Sequence, residues 1–393
     1  MYIGIDLHKA NAVVTALDVA GQDVLTTKVK NTRSGWEEFR ELFPDGGEVV
    51  LESTLNHMEV VDLLEGWGYT VSVAHSKDVR AIATSKSKTD KIDSRILAKL
   101  LQSDFLPRAY VPPKEIRQMR ELLRHRIRLG RDAAQVKNRV HALLQKNWIA
   151  HDFTDLFGKG GRKYLASIAL PDLIRQVMES LLRQLDTLEK EVKNIQATLA
   201  QHAVQDENIK RLMQIRGIDF YSAEVIVNEI GDVTRFPSYR KLSSYAGLVP
   251  TVRNSGNTVR HGHITKEGNR NLRWILVEAA LKSKETDPNL KKTYNRISRR
   301  RGMMIARIAV ARHLLRIIYY MLRDKSDYHY VNEIRYEAKT RRMHYATSPG
   351  SNLPKEANIL PSRTLTRRPT APHPIRESLI YQGGIQEART CFS

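Results

Sequence analysis

Residues 2–29 read YIGIDLHKANAVVTALDVAGQDVLTTKV, and this stretch decides the fold of the first part of the chain. Residues 2–7 form a short apolar run that predicts a β-strand, and residues 12–29 predict two more strands joined at a turn near Gly21. The apolar spacing then predicts a helix at 34–43, a strand at 46–54, a helix at 57–69, a strand at 70–76 and a helix at 90–101. This order of elements predicts an α/β domain.

The whole chain has 393 residues, which favours two or three domains, and its 41% of hydrophobic residues suffice for a buried core. A formal net charge of +21 predicts a polyanionic partner, with nucleic acid as the first candidate and an anionic membrane surface as the second. The sequence contains no apolar run of about eighteen residues, so it predicts no membrane-spanning helix. Because Cys391 is the single cysteine, we exclude an intrachain disulfide and a cysteine zinc site, and we expect a cytoplasmic protein.

The middle of the chain is predicted to be helical. A long helix, dense in cations, starts at the proline pair 112–113 and runs to about residue 145. A second helix follows Pro171 and carries an a/d heptad seam from Ile174 to Leu199. Two interpretations of the seam stay open: a helical hairpin within the chain, and a coiled coil between chains.

Residues 208–231 predict a helix-hairpin-helix whose turn contains Gly217, and an ordinary pair of antiparallel helices is the alternative. A basic helical region follows, with its densest cationic run, SRRRG, at residues 298–302. The end of the chain is rich in Pro, Ser, Thr and Arg without apolar periodicity, which predicts disorder. The predicted domains are therefore an α/β domain at 1–110, a helical region at 111–205, a mainly α domain at 206–330 and a disordered basic tail at 331–393.

Four acidic residues fall on the predicted N-terminal elements. Asp6 lies inside the first strand, Glu52 ends the fourth strand, and Asp90 and Asp93 share one face of the following helix. Three opening strands followed by alternating helices and strands are the order of an RNase H-like fold, in which the first and fourth strands are neighbours. We therefore expect the four carboxylates to converge. Each residue taken alone also has a structural interpretation, as a helix cap, an exposed charge or a salt-bridge partner.

Converging carboxylates repel one another unless a cation neutralises them. Hard divalent metals take oxygen ligands, so the four acidic residues predict a Mg²⁺ site, with Mn²⁺ as the second choice. Two metals about 3.5–4 Å apart would serve in-line attack at a phosphodiester, which is the linkage that a nucleic-acid partner supplies. A two-metal site is thus the predicted cofactor arrangement.

Motifs in both halves of the chain resemble one family. GIDLHK at 4–9, LEST at 51–54 and KTDKIDSRILAKLL at 88–101 resemble the DEDD transposases of the insertion-sequence one-ten family, which are bridge-RNA-guided recombinases. YAGLVPTVRNSGNTVRHGHITKEGNRNLRWILVEAA at 245–280 is similar to the C-terminal transposase domain of that family. The resemblance covers about residues 1–323, and the occurrence of both halves in this order makes it specific.

This resemblance implies a RuvC-like N-terminal domain whose four acidic positions fall on Asp6, Glu52, Asp90 and Asp93. It also implies a serine nucleophile, which falls on Ser255 in RNSGN; the sequence departs here from the more usual Ser-Ser-Gly-Gly. A serine hydroxyl needs a base or a metal for activation, and the metal cluster would supply it. The cations expected to clamp phosphates near this serine are Arg253, Arg260, Lys266, Arg270 and Arg273.

The resemblance further implies donor and target DNA, a structured non-coding guide RNA, and a dimer or tetramer in which the acidic domain of one protomer meets the serine of another. The heptad seam fits such an assembly. The long basic helix fits contacts to a DNA or RNA backbone. Its residues assigned to that contact are Arg124, Arg128, Arg131, Lys137 and Arg139.

The leading hypothesis is a DNA transposase or site-specific recombinase. The alternatives are a metal-only endonuclease of the Holliday-junction type, without a covalent intermediate, and a nucleic-acid-binding protein without catalysis. Tyr245 is the residue to test if the nucleophile is a tyrosine, whereas Ser243 and Ser244 lie in a predicted packed helix. An actin-like ATPase shares the N-terminal strand order, but the sequence lacks a second Gly-rich phosphate loop.

Overall fold

The computed structural model describes residues 1–54, 56–82, 89–255 and 258–347, without the side chains of 252–261. It divides the chain into two compact units, Met1–Pro113 and the part that begins at Lys114. None of the described helices is both long enough and apolar enough to cross a membrane.

The first unit is a five-stranded mixed sheet with helices on both faces. Its strands are β1 (Tyr2–Leu7), β2 (Asn11–Leu17), β3 (Asp23–Lys30), β4 (Glu48–Glu52) and β5 (Thr70–Ala74). Its helices are α1 (Arg33–Leu42), α2 (His57–Gly66), α3 (Ser76–Ile82) and α4 (Asp90–Gln102). The strand order is β3-β2-β1-β4-β5, with β1 antiparallel to β2 and parallel to β4. The predicted α/β class is confirmed, as is the adjacency of β1 and β4, whereas the finer RNase H-like assignment stays a prediction.

Both faces of this sheet are buried, which explains the continuous apolar run in β4. Val49 and Leu51 pack in one hydrophobic cluster with Phe39 of α1, while Val50 packs in the other with Leu97 of α4. Side chains that alternate along a strand enter opposite faces, so a strand covered on both sides must be apolar throughout. Helix α3 was absent from the sequence-based prediction.

The second unit is mainly helical. Its long helices are α5 (Lys114–Lys146) and α7 (Asp172–Gln205), with the short α6 (Lys159–Ser167) between them. Then come α8 (Glu207–Met213), α9 (Phe220–Ile230), α10 (Tyr239–Tyr245), the strands β6 (Pro250–Ser255) and β7 (Thr258–Ile264), α11 (Arg270–Ser283), α12 (Pro288–Arg301), α13 (Met303–Arg323) and α14 (Glu333–Ala346). Strands β6 and β7 pair as an antiparallel hairpin.

Helices α5 and α7 form a hairpin within the chain. Val140 of α5 and Met178 and Leu185 of α7 are fully buried in a shared cluster. The intrachain interpretation of the heptad seam therefore applies, and a coiled coil between chains stays a prediction. Leu123 and Leu199, from the other end of the same hairpin, join the core of the C-terminal helices. For this reason residues 111–205 share one compact unit with the C-terminal helices, and the predicted boundary at 205/206 does not divide the structure.

The structure corrects the predicted start of the disordered tail. Asn332 caps α14 by accepting a hydrogen bond from the Arg335 amide, and Met343 is fully buried in the core. The sequence signal was weak because Met343 is the single buried apolar side chain of this basic, polar helix. Lys339 of α14 is buried as well, and its ammonium donates to the carbonyls of Met213, Ile215 and Ile218 at 2.6, 2.6 and 2.8 Å. These carbonyls form the turn between α8 and α9. Residues 348–393 lie outside the described part.

Candidate active site

Close packing of α4 on β1 positions the acidic residues. A Cβ on Gly4 would lie 2.0 Å from the Ser94 carbonyl oxygen and 2.6 Å from the Ala98 nitrogen, so only glycine lets the helix come this near. The Ser94 hydroxyl also hydrogen-bonds the Thr15 hydroxyl of β2 at 2.8 Å, and both side chains are fully buried. The beginning of α4 is thereby held beside the end of β1.

Helix α4 begins at the acidic motif itself. Thr89 caps the helix, because its hydroxyl accepts a hydrogen bond from the Ile92 amide at 3.3 Å. Asp90 and Asp93 therefore both lie in the first turn. Carboxylates at this end of a helix interact favourably with its dipole. Asp90 and Asp93 therefore stabilise α4 even when no ligand is bound.

Three potential metal ligands meet where β1 ends. His8 Nε2 lies 3.1 Å from Asp6 Oδ2 and 3.5 Å from Asp90 Oδ1. One ligand atom from each of Asp6, His8 and Asp90 lies within 4.8 Å of the others. Asp6 is buried, whereas His8 and Asp90 are exposed, so the group opens to solvent on one side. His8 had no assigned role in the sequence-based prediction, although GIDLHK contains it; its relevance depends on Asp90, which is distant in sequence.

Glu52 and Asp93 border this group without joining it at that distance. The parallel register pairs Ile5 with Leu51, so Glu52 ends β4 one position further along, beside the level of Asp6. Asp93 lies one turn into α4. The structure therefore brings Asp6 and Asp90 together with His8 and places the other two predicted acidic residues at the same end of the sheet.

Electrostatics at Asp6 favour a bound cation. Burial raises the pKa of the Asp6 carboxyl above its ordinary value, His8 opposes that rise, and the charges of Asp90 and Asp93 add to it. A raised pKa means that the negative charge is held at a free-energy cost. A divalent cation at this point would reduce the cost, and the carboxylate oxygens are ligands that such a cation prefers.

The predicted serine lies on the β6–β7 hairpin. Ser255 is the last residue of β6 and pairs with Thr258 of β7, so it lies at a strand end. The side chains of Ser255, Arg253 and Arg260 lie outside the described residues. Near the base of the hairpin, Lys266 and Arg270 are exposed.

The two ends of this hairpin are held together at Glu229. The backbone N–H of Asn269 donates to the Tyr245 carbonyl at 2.7 Å, and the Tyr245 hydroxyl donates to the backbone carbonyl of Glu229 at 3.1 Å. Asn269 and Asn271 donate to the Glu229 carboxylate at 2.8 and 3.1 Å. Nearby, the guanidinium of Arg273 donates to the Ala246 carbonyl at 3.0 Å. The base of the hairpin thus has a defined geometry.

Several of the cations predicted to bind nucleic acid have carboxylate partners. Arg124 donates to both oxygens of the buried Glu229 carboxylate at 3.0 and 2.9 Å. Arg128 donates to Glu121 at 2.7 Å, and Lys137 pairs with Glu189 at 2.9 Å. Arg131 and Arg139 are exposed. Nucleic-acid contact by these residues stays a prediction. The sequence could not reveal the Glu229 pairing, because its partners are more than a hundred residues apart.

Comparisons with known proteins find transposase matches in both the N-terminal and the C-terminal half of the chain. A family model described as "Transposase IS116/IS110/IS902 family" matches residues 209–295, and a transposase model for the DEDD enzymes of IS110 type matches residues 3–149. The transposase of insertion sequence element IS1111A from Coxiella burnetii is 24% identical over 83% of this chain and 90% of its own length. That of IS1328 from Yersinia enterocolitica is 26% identical over 71% of this chain and 82% of its own length.

A third relative, the protein y4qE of Sinorhizobium fredii, is named as a transposase. It is 30% identical over 49% of this chain, and the alignment spans about half of its length, 47%. The matches of the two family models and of the near full-length relatives lead to one conclusion: the chain belongs to the IS110 family of transposases.

Proposed function

We propose that the protein cuts and rejoins DNA as the transposase of an insertion sequence, with Ser255 as nucleophile and with Mg²⁺ held by Asp6, Glu52, Asp90 and Asp93. The observation that carries the proposal is the meeting of Asp6, His8 and Asp90 at the end of β1, in a chain of this family. Carboxylates that converge on one open point are suited to a divalent metal.

The donor set fits such an ion. Mg²⁺ and Mn²⁺ both take carboxylate oxygens, while the imidazole of His8 is a donor that Mn²⁺ accepts more readily than Mg²⁺. His8 contacts both Asp6 and Asp90, so it would either join the ligands or orient the two carboxylates. When bound, the metal would supply charge stabilisation at the phosphodiester under attack.

In the proposed reaction, Ser255 Oγ forms a bond to a DNA phosphorus. The bond from that phosphorus to a deoxyribose oxygen breaks, and the serine proton ends on the departing hydroxyl. A hydroxyl of a second strand then attacks the phosphoserine, reforms a phosphodiester and returns the proton to Ser255. No bond is hydrolysed in this sequence, so breakage and rejoining need no external energy source.

The partners that we propose are those of the family: donor and target DNA, a structured guide RNA, and further copies of the same chain. We propose that the protein acts in the cytoplasm, where bacterial and archaeal DNA is found. Arg253, Arg260, Lys266, Arg270 and Arg273 are the cations that we assign to phosphates near the serine.

A covalent-trapping experiment tests the nucleophile. Labelled DNA carrying the insertion-sequence end is incubated with the protein, the reaction is denatured, and protein–DNA adducts are resolved. We expect an adduct with the wild type, none with Ser255→Ala, and an unchanged adduct with the control Ser244→Ala, whose side chain is exposed on α10. An adduct that survives Ser255→Ala would remove the serine assignment. Cleavage without any adduct would establish the metal-only endonuclease instead.

The metal site has its own test. Asp90→Asn and Glu52→Gln should abolish strand cleavage and weaken Mn²⁺ binding, measured by electron paramagnetic resonance, while DNA binding persists. Asp78→Asn is the matched control, because Asp78 is an exposed carboxylate in the same unit and also pairs with a histidine, His75. Unchanged Mn²⁺ binding in Asp90→Asn would contradict the proposed site.

A further inference from the structure

One face of α12 concentrates positive charge. Helix α12 contains six cations and no carboxylate. Its exposed side chains line an open groove of about 670 Å³. The groove residues are Pro288, Lys291, Lys292, Asn295, Arg296, Arg299 and Arg300.

The five lysines and arginines of this groove differ from many other cations of the chain in their ion pairing. In the part of the chain that the structure describes, Lys291, Lys292, Arg296, Arg299 and Arg300 take part in no ion pair. The long basic helix α5 is mixed in this respect, because Arg124, Arg128 and Lys137 are paired whereas Arg131 and Arg139 are exposed. The five cations on this face of α12 are therefore available to bind a polyanion through charge.

Folding alone does not explain the arrangement. Leu290 and Ile297 bury the opposite side of α12, and Asp287 caps the helix by accepting from the Asn289 and Leu290 amides. The helix dipole stabilises Arg299 and Arg300 in the last turn, but it disfavours Lys291 at the end of the first turn. Cations spaced four residues apart on a helix repel one another by a few tenths of a kcal/mol. The fold therefore carries a charge arrangement that weakens this helix.

We propose that this face of α12 docks the phosphate backbone of double-stranded DNA. Lys291 and Arg300 are nine residues apart, which is roughly 13 Å along the helix and covers several phosphates of a duplex. Lysine and arginine make up five of the seven groove residues, and such cations bind phosphates through charge. The matching family models describe transposases, whose substrate is DNA, so we assign DNA to this face, and the test below separates it from RNA.

This inference deepens the proposed function, because it names a surface that would hold the DNA on which the site acts. Arg299 and Arg300 of the SRRRG run at 298–302 belong to this surface. Residues 291–300 lie outside the predicted nucleic-acid contacts, since sequence alone does not show which cations are left unpaired by folding.

The test compares the salt dependence of DNA binding in two triple variants. The first is Arg296→Gln, Arg299→Gln, Arg300→Gln; the control, Arg33→Gln, Arg108→Gln, Arg183→Gln, loses the same charge from exposed, paired arginines. Binding of a random 30-base-pair DNA duplex, and separately of a double-stranded RNA of equal length, is measured by fluorescence anisotropy at several salt concentrations. Melting curves confirm that both variants fold.

We expect the slope of log K against log salt for DNA to become less negative by about 2.7 in the first variant, at about 0.9 per lost phosphate contact, and to change little in the control. Equal slopes in the first variant and the wild type would overturn the proposal, as would a slope change confined to RNA. The covalent-trapping assay separates the two proposals. An adduct with unchanged slopes removes only the α12 surface, and changed slopes without an adduct remove only the serine mechanism.

Discussion

Two buried glutamates on α9 allow a matched prediction about the base of the β6–β7 hairpin. Glu224 and Glu229 lie five residues apart, and both are at most 1% exposed. We predict that Glu229→Gln lowers the free energy of unfolding of the second unit far more than Glu224→Gln, although the chemical change is the same. The reason lies in the partners of each carboxylate oxygen.

At Glu229, every partner is a donor. Oε1 accepts from Arg124 Nε and Asn271, and Oε2 accepts from Arg124 Nη2 and Asn269. These bonds, led by the one to Arg124, hold the pKa of Glu229 below its ordinary value despite burial. A glutamine amide has one donor end, and in either orientation that end would face two donors. Breaking a buried ion pair in this way costs about 3–5 kcal/mol. The 41% exposure of the Arg124 side chain lets it turn to water, so we expect about 3 kcal/mol.

At Glu224, a glutamine can satisfy both partners. Oε2 accepts from Asn228 at 2.8 Å, and Oε1 lies 2.7 Å from His202 Nδ1, an atom that accepts a hydrogen bond in one neutral tautomer. The amide nitrogen would face His202 and the amide oxygen would face Asn228. We therefore expect Glu224→Gln to lower the free energy of unfolding by no more than about 1 kcal/mol, the net worth of a typical hydrogen bond, and to raise it at pH 8, where burial makes the charged wild-type carboxylate costly.

Hydrogen exchange followed by mass spectrometry measures both effects in the full-length protein at pH 8. Peptides from α9 and α11 report the second unit separately from the first, which a bulk unfolding signal from two units would not. The expected result is faster exchange of the core amides by about two orders of magnitude in Glu229→Gln, and exchange no faster than in the wild type in Glu224→Gln. Equal rates in the two variants would refute the reasoning from donor geometry.

Three further predictions concern local packing and pH. Gly4→Ala should destabilise the first unit by about 1–3 kcal/mol, because its Cβ would meet the α4 backbone, whereas Gly66→Ala, with nothing within 4 Å, should not; thermal melting of each variant checks this. Burial raises the pKa of the Glu224 carboxyl to about 7, so its contribution to the free energy of unfolding is fully present below the ordinary pKa of 4.5 and is lost as the pH rises through about 7. This loss is on the order of 3 kcal/mol and should vanish in Glu224→Gln; unfolding measured from pH 5 to 8 checks it. Lys339→Met should leave three carbonyls unsatisfied and speed hydrogen exchange at the α8–α9 turn by tenfold or more, whereas Arg341→Met, on the exposed side of α14, should not.

Short-range sequence patterns predicted the strands and helices, but they could not predict side-chain pairs between residues that are distant in sequence. Apolar runs and helical spacing located the five strands and α4, since burial leaves a periodic record in the sequence. The adjacency of β1 and β4 was predicted from the order of strands. The Glu229–Arg124 pair and the Lys339 contacts join residues more than a hundred positions apart, and no local spacing indicates them. Helix α14 escaped for a related reason: its stability comes from two buried side chains rather than from an apolar stripe.

The pairing of charges distinguishes the candidate metal site from an ordinary group of salt bridges. The chain has 64 lysines and arginines, and the buried carboxylate of Glu229 is matched by Arg124. Among the described residues, no lysine or arginine pairs with Asp6 or Asp90; His8 is their shared neighbour. A structural role for these two carboxylates would be best served by a nearby cation, which so basic a chain has in surplus. The lack of a lysine or arginine partner for them among the described residues favours a site kept for a cation from outside the chain.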